Sequence, residues 1–120
     1  MCIRDRIAVS REVSKHYRHD IQHIALSTYQ LGLILLDEHF APLTGITLLS
    51  DMRARETLDA FKQKLDMPAL YGRTGCPPMF QYPLARLFWF RENKPELMKE
   101  ACYFLGGKDY LCLLYTSRCV

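Results

Sequence analysis

The 120-residue chain contains no run of about 18 apolar residues, the length that carries an α-helix across a membrane, so no membrane span is expected. Its first ten residues hold charge but no apolar stretch of signal-peptide length, and secretion is not indicated. Charge of one sign is not in excess either. Against 16 Lys and Arg stand 13 Asp and Glu, and the formal charge of +3 is too small to point to a nucleic-acid partner by itself. Internal repeats and low-complexity linkers are absent. What is present is ordinary globular composition, 49% hydrophobic and 12% aromatic, in a length suited to one domain or part of one.

The two ends carry a pattern of their own. Met1-Cys2-Ile3-Arg4-Asp5 and the start of Arg6 are what ATGTGTATAAGAGACAG encodes, a string that resembles the mosaic-end tag of transposase-based sequencing libraries. Its reverse complement, CTGTCTCTTATACACATCT, encodes Cys112-Leu113-Leu114-Tyr115-Thr116-Ser117 in one frame. The forward AGATGTGTATAA then gives Arg118-Cys119-Val120 and a stop. Residues 1–6 and 112–120 are therefore expected to be translated adapter around a native segment 7–111, itself a fragment of a longer protein. Without those ends, 13 basic and 12 acidic residues remain, and the cysteines reduce to Cys76 and Cys102. Two cysteines suggest no disulfide framework; they read as reduced thiols of a cytoplasmic protein.

Within the native segment the apolar pattern changes period. Residues 8–19 place Val13 and Tyr17 on one face and read as the end of an amphipathic helix. Three apolar runs follow, at 21–27, 33–36 and 46–49, each read as a short strand. Ser50 or Asp51 is then placed to cap a helix whose stripe is Ala54, Leu58, Phe61 and Leu65, closed by Asp66-Met67-Pro68. Residues 71–78, with two glycines and two prolines, read as a shaped loop. Leu84, Leu87, Phe88, Trp89 and Phe90 mark a second buried helix, and Pro95 opens a third that ends before Gly106-Gly107. Strands followed by helices indicate an α/β domain.

Few residues stand out as chemistry-bearing. His16, His19 and His23 have helical spacing suited to zinc, yet no Cys or convincing fourth ligand accompanies them, and exposed helix histidines are the better account. Gly106-Gly107-Lys108 lacks the long glycine-bounded loop and the Ser or Thr after Lys that phosphate binding needs, so a turn is expected. Cys76 beside Pro77-Pro78 reads as a structural cysteine. Phe88, Trp89 and Phe90 read as core. Ser27-Thr28-Tyr29-Gln30 follows an expected strand, where α/β sheets meet ligands, but is equally a plain connection.

An ordered set of segments resolves that ambiguity. Ile24-Ala25-Leu26-Ser27 resembles the strand entering the sugar loop of the FGGY carbohydrate kinases. Leu33-Ile34-Leu35-Leu36-Asp37 is similar to their next strand, and Ser50-Asp51-Met52-Arg53-Ala54 to their W-x-D-x-R-A segment. Thr74-Gly75-Cys76-Pro77-Pro78 matches their TG-containing turn. Pro83-Leu84-Ala85-Arg86-Leu87-Phe88-Trp89-Phe90-Arg91-Glu92-Asn93 resembles the signature P-L-A-K-L-x-W-L-x-E-N, and residues 104–111 the later F-x-x-x-K-D-Y-L segment. The resemblance spans 21–111. It departs at Leu49, where Trp is usual, at Arg86, which replaces Lys and changes the geometry of the charge, and at Gln81. Gln30-Leu31 stands where xylulokinase-like members often carry Met-His.

The resemblance implies an α/β fold, part of an actin-like, ribonuclease-H-like ATPase domain, which is FGGY domain I. It implies an ATP- and Mg2+-dependent transfer of phosphate to a hydroxyl of a sugar or polyol, with a pentulose such as xylulose, or gluconate, favoured. Gln30, Leu31 and Gln81 are the implied substrate contacts, Gln81 by a hydrogen bond to a hydroxyl. The phosphate loop is expected before residue 7, and the catalytic Asp and most adenine contacts beyond residue 111, so the fragment is expected to bind neither ATP nor metal and to be inactive alone. Asp51 and Asp109 are expected to cap or pack. No nucleic acid and no membrane partner is expected, and a homodimer of the full-length protein stays open. Two other classes remain. A self-contained binding module would fold cooperatively by itself, and a nucleic-acid binder would show a basic face and salt-sensitive binding.

Overall fold

The apolar run at 33–36 is the center of the molecule. In the computed structural model, which describes residues 3–23, 25 and 27–116, Ile34–Leu36 form strand β1, buried on both faces. Continuous burial suits a run with no polar alternation. On one edge, β1 pairs antiparallel with β2 (Tyr103–Leu105), with Ile34 opposite Leu105 and Leu36 opposite Tyr103. On the other edge, the Leu43 amide donates to the Leu35 carbonyl (2.9 Å) and the Thr47 amide to that of Leu33 (2.8 Å).

Helices surround this small sheet in the order α1 (Ile3–Tyr17), a 3-10 turn Arg53–Arg55, α2 (Leu58–Gln63), α3 (Met67–Thr74), α4 (Pro83–Asn93), α5 (Pro95–Glu100) and α6 (Gly107–Thr116). None among the described residues is long and apolar enough to cross a membrane. Ala85, Phe88 and Trp89 recur at helical spacing on α4 and meet Leu33, Leu35, Ala54 and Phe61 in one core. The Phe61 and Phe88 rings stand 5.5 Å apart, and Phe90 meets Trp89 edge-on at 5.3 Å.

Several expectations are corrected. Residues 21–23, 25 and 27 form no strand: the Ile21 amide turns back to the Tyr17 carbonyl at 3.1 Å, and no described strand pairs with the segment; Ile24 and Leu26 lie outside the described residues. The run at 46–49 is reduced to a single bridge, Thr47 to Leu33, and Leu48 and Leu49 are exposed. The expected third helix stops at Glu100, and Tyr103–Leu105 pair as β2 instead, three residues with too little period to show a strand. The single helix expected over Ala54–Leu65 is split into the 3-10 turn and α2, which leaves Leu65 exposed. The expected loop at 71–78 begins inside α3. There the Asp66 carboxylate accepts the Ala69 amide at 3.1 Å, Pro68 sits in the first turn, and Gly75 closes the helix at φ 65. The glycines that signaled a loop include this left-handed cap. At the other turn, Gly107 opens α6 and the Asp109 carboxylate accepts the Gly106 amide at 3.1 Å. The Asp51 carboxylate likewise accepts the Arg53 amide at 3.1 Å. Cys76 is exposed, not packed.

The radius of gyration is 17.8 Å. A compact chain of this length would have about 14 Å. On α1, Val9 is 63% exposed, and Val13 and Tyr17 are exposed as well.

Candidate functional site

The least expected side chain in the core is a charged one. Tyr82 is extended (φ −71, ψ 145) and Pro83 starts α4, whose first turns carry Ala85, Arg86 and Trp89 on the inner face. Arg86 is consequently only 3% exposed. Its Nη1 donates to the Leu31 carbonyl and, at 2.9 Å, to Thr47 Oγ1, while Nη2 donates to the Leu48 carbonyl at 2.6 Å. Thr47 Oγ1 also accepts the Leu33 amide at 3.1 Å. One guanidinium thus joins α4, the turn before β1 and the segment after it. Burial pulls the Arg86 pKa down, against the opposing pull of the Asp51 charge.

Leu31, whose carbonyl Arg86 holds, has φ 61, the left-handed region that side chains other than glycine rarely adopt. The next residue is a tightly placed glycine: a Cβ on Gly32 would stand 2.9 Å from Tyr29 Cε2 and 3.2 Å from Ile46 Cγ2, so those side chains would have to shift. Gln30 is exposed at the tip of this turn, and Gln81 is half-buried just before α4. Arg86, on the helix that follows Gln81, bonds the Leu31 carbonyl of this turn.

Beside this cluster, Arg53 forms a forked ion pair with Asp51, with Nη2 2.5 Å from Oδ2 and Nε 3.0 Å from Oδ1. The Arg53 guanidinium lies 5.0 Å from the Trp89 ring centroid. Its hydrogen bond holds the Asp51 carboxyl below its ordinary value, against a smaller opposing push from burial. An open hollow of about 370 Å³, walled by Thr44, Thr47, Ser50, Asp51, Arg53 and Phe90, adjoins the pair. A smaller one of about 10 Å³ lies between Asp51, Arg86 and Trp89. Arg86 Nε and Trp89 Nε1 are buried without a hydrogen-bond partner among the described residues. Neither hollow is lined by Gln30, Leu31 or Gln81.

The other sequence candidates do not assemble. α1 ends at Tyr17, so His16 faces Glu12 at 3.6 Å while His19 and His23 lie beyond the helix on the surface. No three His, Cys, Asp or Glu side chains among the described residues are grouped to hold a metal. The Cys76 charge, with a smaller push from desolvation, raises the Tyr82 phenol.

The model of the FGGY family of carbohydrate kinases, N-terminal domain, matches residues 3–120. The chain belongs to this family. It is similar to the gluconokinase of Bacillus subtilis, 28% identical over 102 residues that are 85% of this chain and 20% of that protein. Xylulose kinase of Staphylococcus xylosus is 25% identical over 107 residues, 88% of this chain and 22% of that protein. In three dimensions it resembles the xylulose kinase of Rhodospirillum rubrum with a TM-score of 0.67 at 26% identity, over 72% of this chain and 18% of that one. The chain thus spans about a fifth of the length of the curated relatives it matches. Its fold is part of the actin-like α/β domain of the FGGY kinases, as the resemblance implied.

Within this FGGY domain, the signature segment is α4 and the Asp51–Arg53 segment is the wall of the open hollow. Sequence reasoning treated Arg86 as a retained charge and missed that it is buried. The signal was available, because Arg86 lies three residues before Trp89 and next to Ala85 on the apolar stripe.

Proposed function

We propose that this chain is part of the sugar-binding lobe of an ATP-dependent kinase that phosphorylates a hydroxyl of a sugar or polyol, a pentulose such as xylulose or gluconate. The family match over 3–120 carries the reading, with relatives named gluconokinase and xylulose kinase in support. Gln30, Leu31 and Gln81 face the substrate. Arg86, bonded to the Leu31 carbonyl and rooted in the helix that follows Gln81, supports that placement. The protein is cytoplasmic.

The residues present do not fit ATP or Mg2+. Arg53 occupies the Asp51 carboxylate, the Gly106 amide engages that of Asp109, and the Gly-Gly-Lys sequence runs directly into α6. Nucleotide, metal and catalytic base belong to other segments of the kinase. What these residues contribute is binding and orientation of the acceptor, which lowers the entropic part of the barrier.

The outermost segments, 1–6 and 112–120, are adapter-derived. Their agreement with a tag and its reverse complement supports this, although α1 begins at Ile3 and α6 runs to Thr116. Two measurements test the reading. Sequencing the uncut locus is expected to show other codons at both ends, a phosphate loop upstream and a catalytic Asp downstream. The protein from that locus, assayed with ATP against xylulose, gluconate and glycerol, is expected to turn over one of them, whereas the 120-residue chain turns over none. A full-length protein inert toward the whole panel overturns the kinase assignment.

A further inference from the structure

We propose that Arg86 is a positioning residue for the acceptor site, holding the Gln30-Leu31 turn in its left-handed conformation from the inner face of α4. The inference rests on the reading above that this turn faces the sugar. Three observations converge. Leu31 sits at φ 61, a conformation that is unfavorable for a residue with a Cβ and persists only where its surroundings hold it. Its carbonyl accepts from Arg86 Nη1, and the same nitrogen holds Thr47 Oγ1 at 2.9 Å, so the turn is referenced to the strand segment as well as to the helix. Finally, Arg86 is buried with its Nε unpaired among the described residues. A buried cation with an unsatisfied donor is unfavorable by itself, which fits a group retained for its fork of donors rather than for packing. Lysine would keep the charge but present its donors from a single nitrogen, and could not span the Leu31 carbonyl, Thr47 and the Leu48 carbonyl with the same geometry.

The test is steady-state kinetics on the full-length kinase. Arg86→Met is expected to raise the sugar KM roughly tenfold while kcat and the ATP KM move less than about threefold, the pattern of a displaced acceptor contact. Arg86→Lys is expected to recover part of the loss, and carries the same test should Arg86→Met not fold. In a Leu31→Gly background, where φ 61 costs nothing, the Arg86→Met penalty is expected to shrink by at least about threefold. Equal penalties in both backgrounds, or sugar and ATP KM rising in parallel, overturn the proposal. Gln30→Ala separates the two levels. If it raises the sugar KM and the Arg86 variants do not, the positioning role fails alone; if it leaves the sugar KM unchanged, the sugar-facing turn fails and this role with it.

Discussion

α1 and α4 are both helices with apolar residues at helical spacing, yet one is bare and the other is the center of the core. On α1, Val9, Val13 and Tyr17 are exposed, and its ion pair of Lys15 with Glu12 at 2.9 Å lies in solvent. On α4, Ala85, Phe88, Trp89 and Phe90 are buried against Leu33, Leu35 and Phe61, and a guanidinium is buried with them. The contrast shows that an apolar stripe specifies a face but not what covers it. α4 has β1 and the 3-10 turn to pack on; Val9, Val13 and Tyr17 of α1 stay in solvent. Burial follows the availability of an opposing surface, since the free energy comes from area removed from water.

The largest effects should separate these helices. Trp89→Ala is expected to cost about 3–5 kcal/mol, read in urea unfolding of the full-length kinase. Val13→Ala, on the bare helix, should stay within about 0.5 kcal/mol. A comparable loss at both positions would mean that α1 packs as α4 does. The glycines offer a smaller contrast. Gly32→Ala drives a Cβ into Tyr29 and Ile46 and is expected to destabilize by about 1–3 kcal/mol. Gly72→Ala, inside α3 with open space around it, should instead stabilize by up to about 1 kcal/mol. Opposite signs in thermal unfolding are the check.

The smallest effect is electrostatic. Arg53 lowers the Asp51 pKa in the folded chain, so the unfolded state binds the proton more readily. The stability from this pair is therefore fully present at neutral pH. It declines as pH falls below about 4, the unfolded carboxylate value, toward the lower folded one. Asp51→Asn is expected to flatten that acid limb in urea unfolding followed against pH, and an unchanged limb would remove Asp51 from it.

Much of the helical layout was legible. The Pro95 start of α5 and the buried Trp89 follow from local period and helix-start chemistry, and of the stripe Ala54, Leu58, Phe61 and Leu65 the first and third are buried while Leu65 lies past the end of α2. The strands were harder, because a short apolar run shows only that a segment prefers burial. Residues 33–36 found three partners (β2, Thr47 and Pro42), 46–49 found one bridge, and 103–105 paired although nothing local announced it. At the candidate site, Gln30, Leu31 and Gln81 came from family resemblance and remain proposals. The bond from Arg86 to the Leu31 carbonyl joins positions 55 residues apart, which no local pattern reports.

By itself, the sequence determined that helices begin at Pro83 and Pro95, which runs are apolar and which family the ordered motifs resemble, because each depends on residues near one another in the chain. Only the tertiary structure decided which apolar faces are covered, which runs become strands, and that a cation lies in the core holding a left-handed turn. Those outcomes depend on a partner supplied from elsewhere in the chain, and a backbone hydrogen bond or a buried charge has no stable form until that partner is in place.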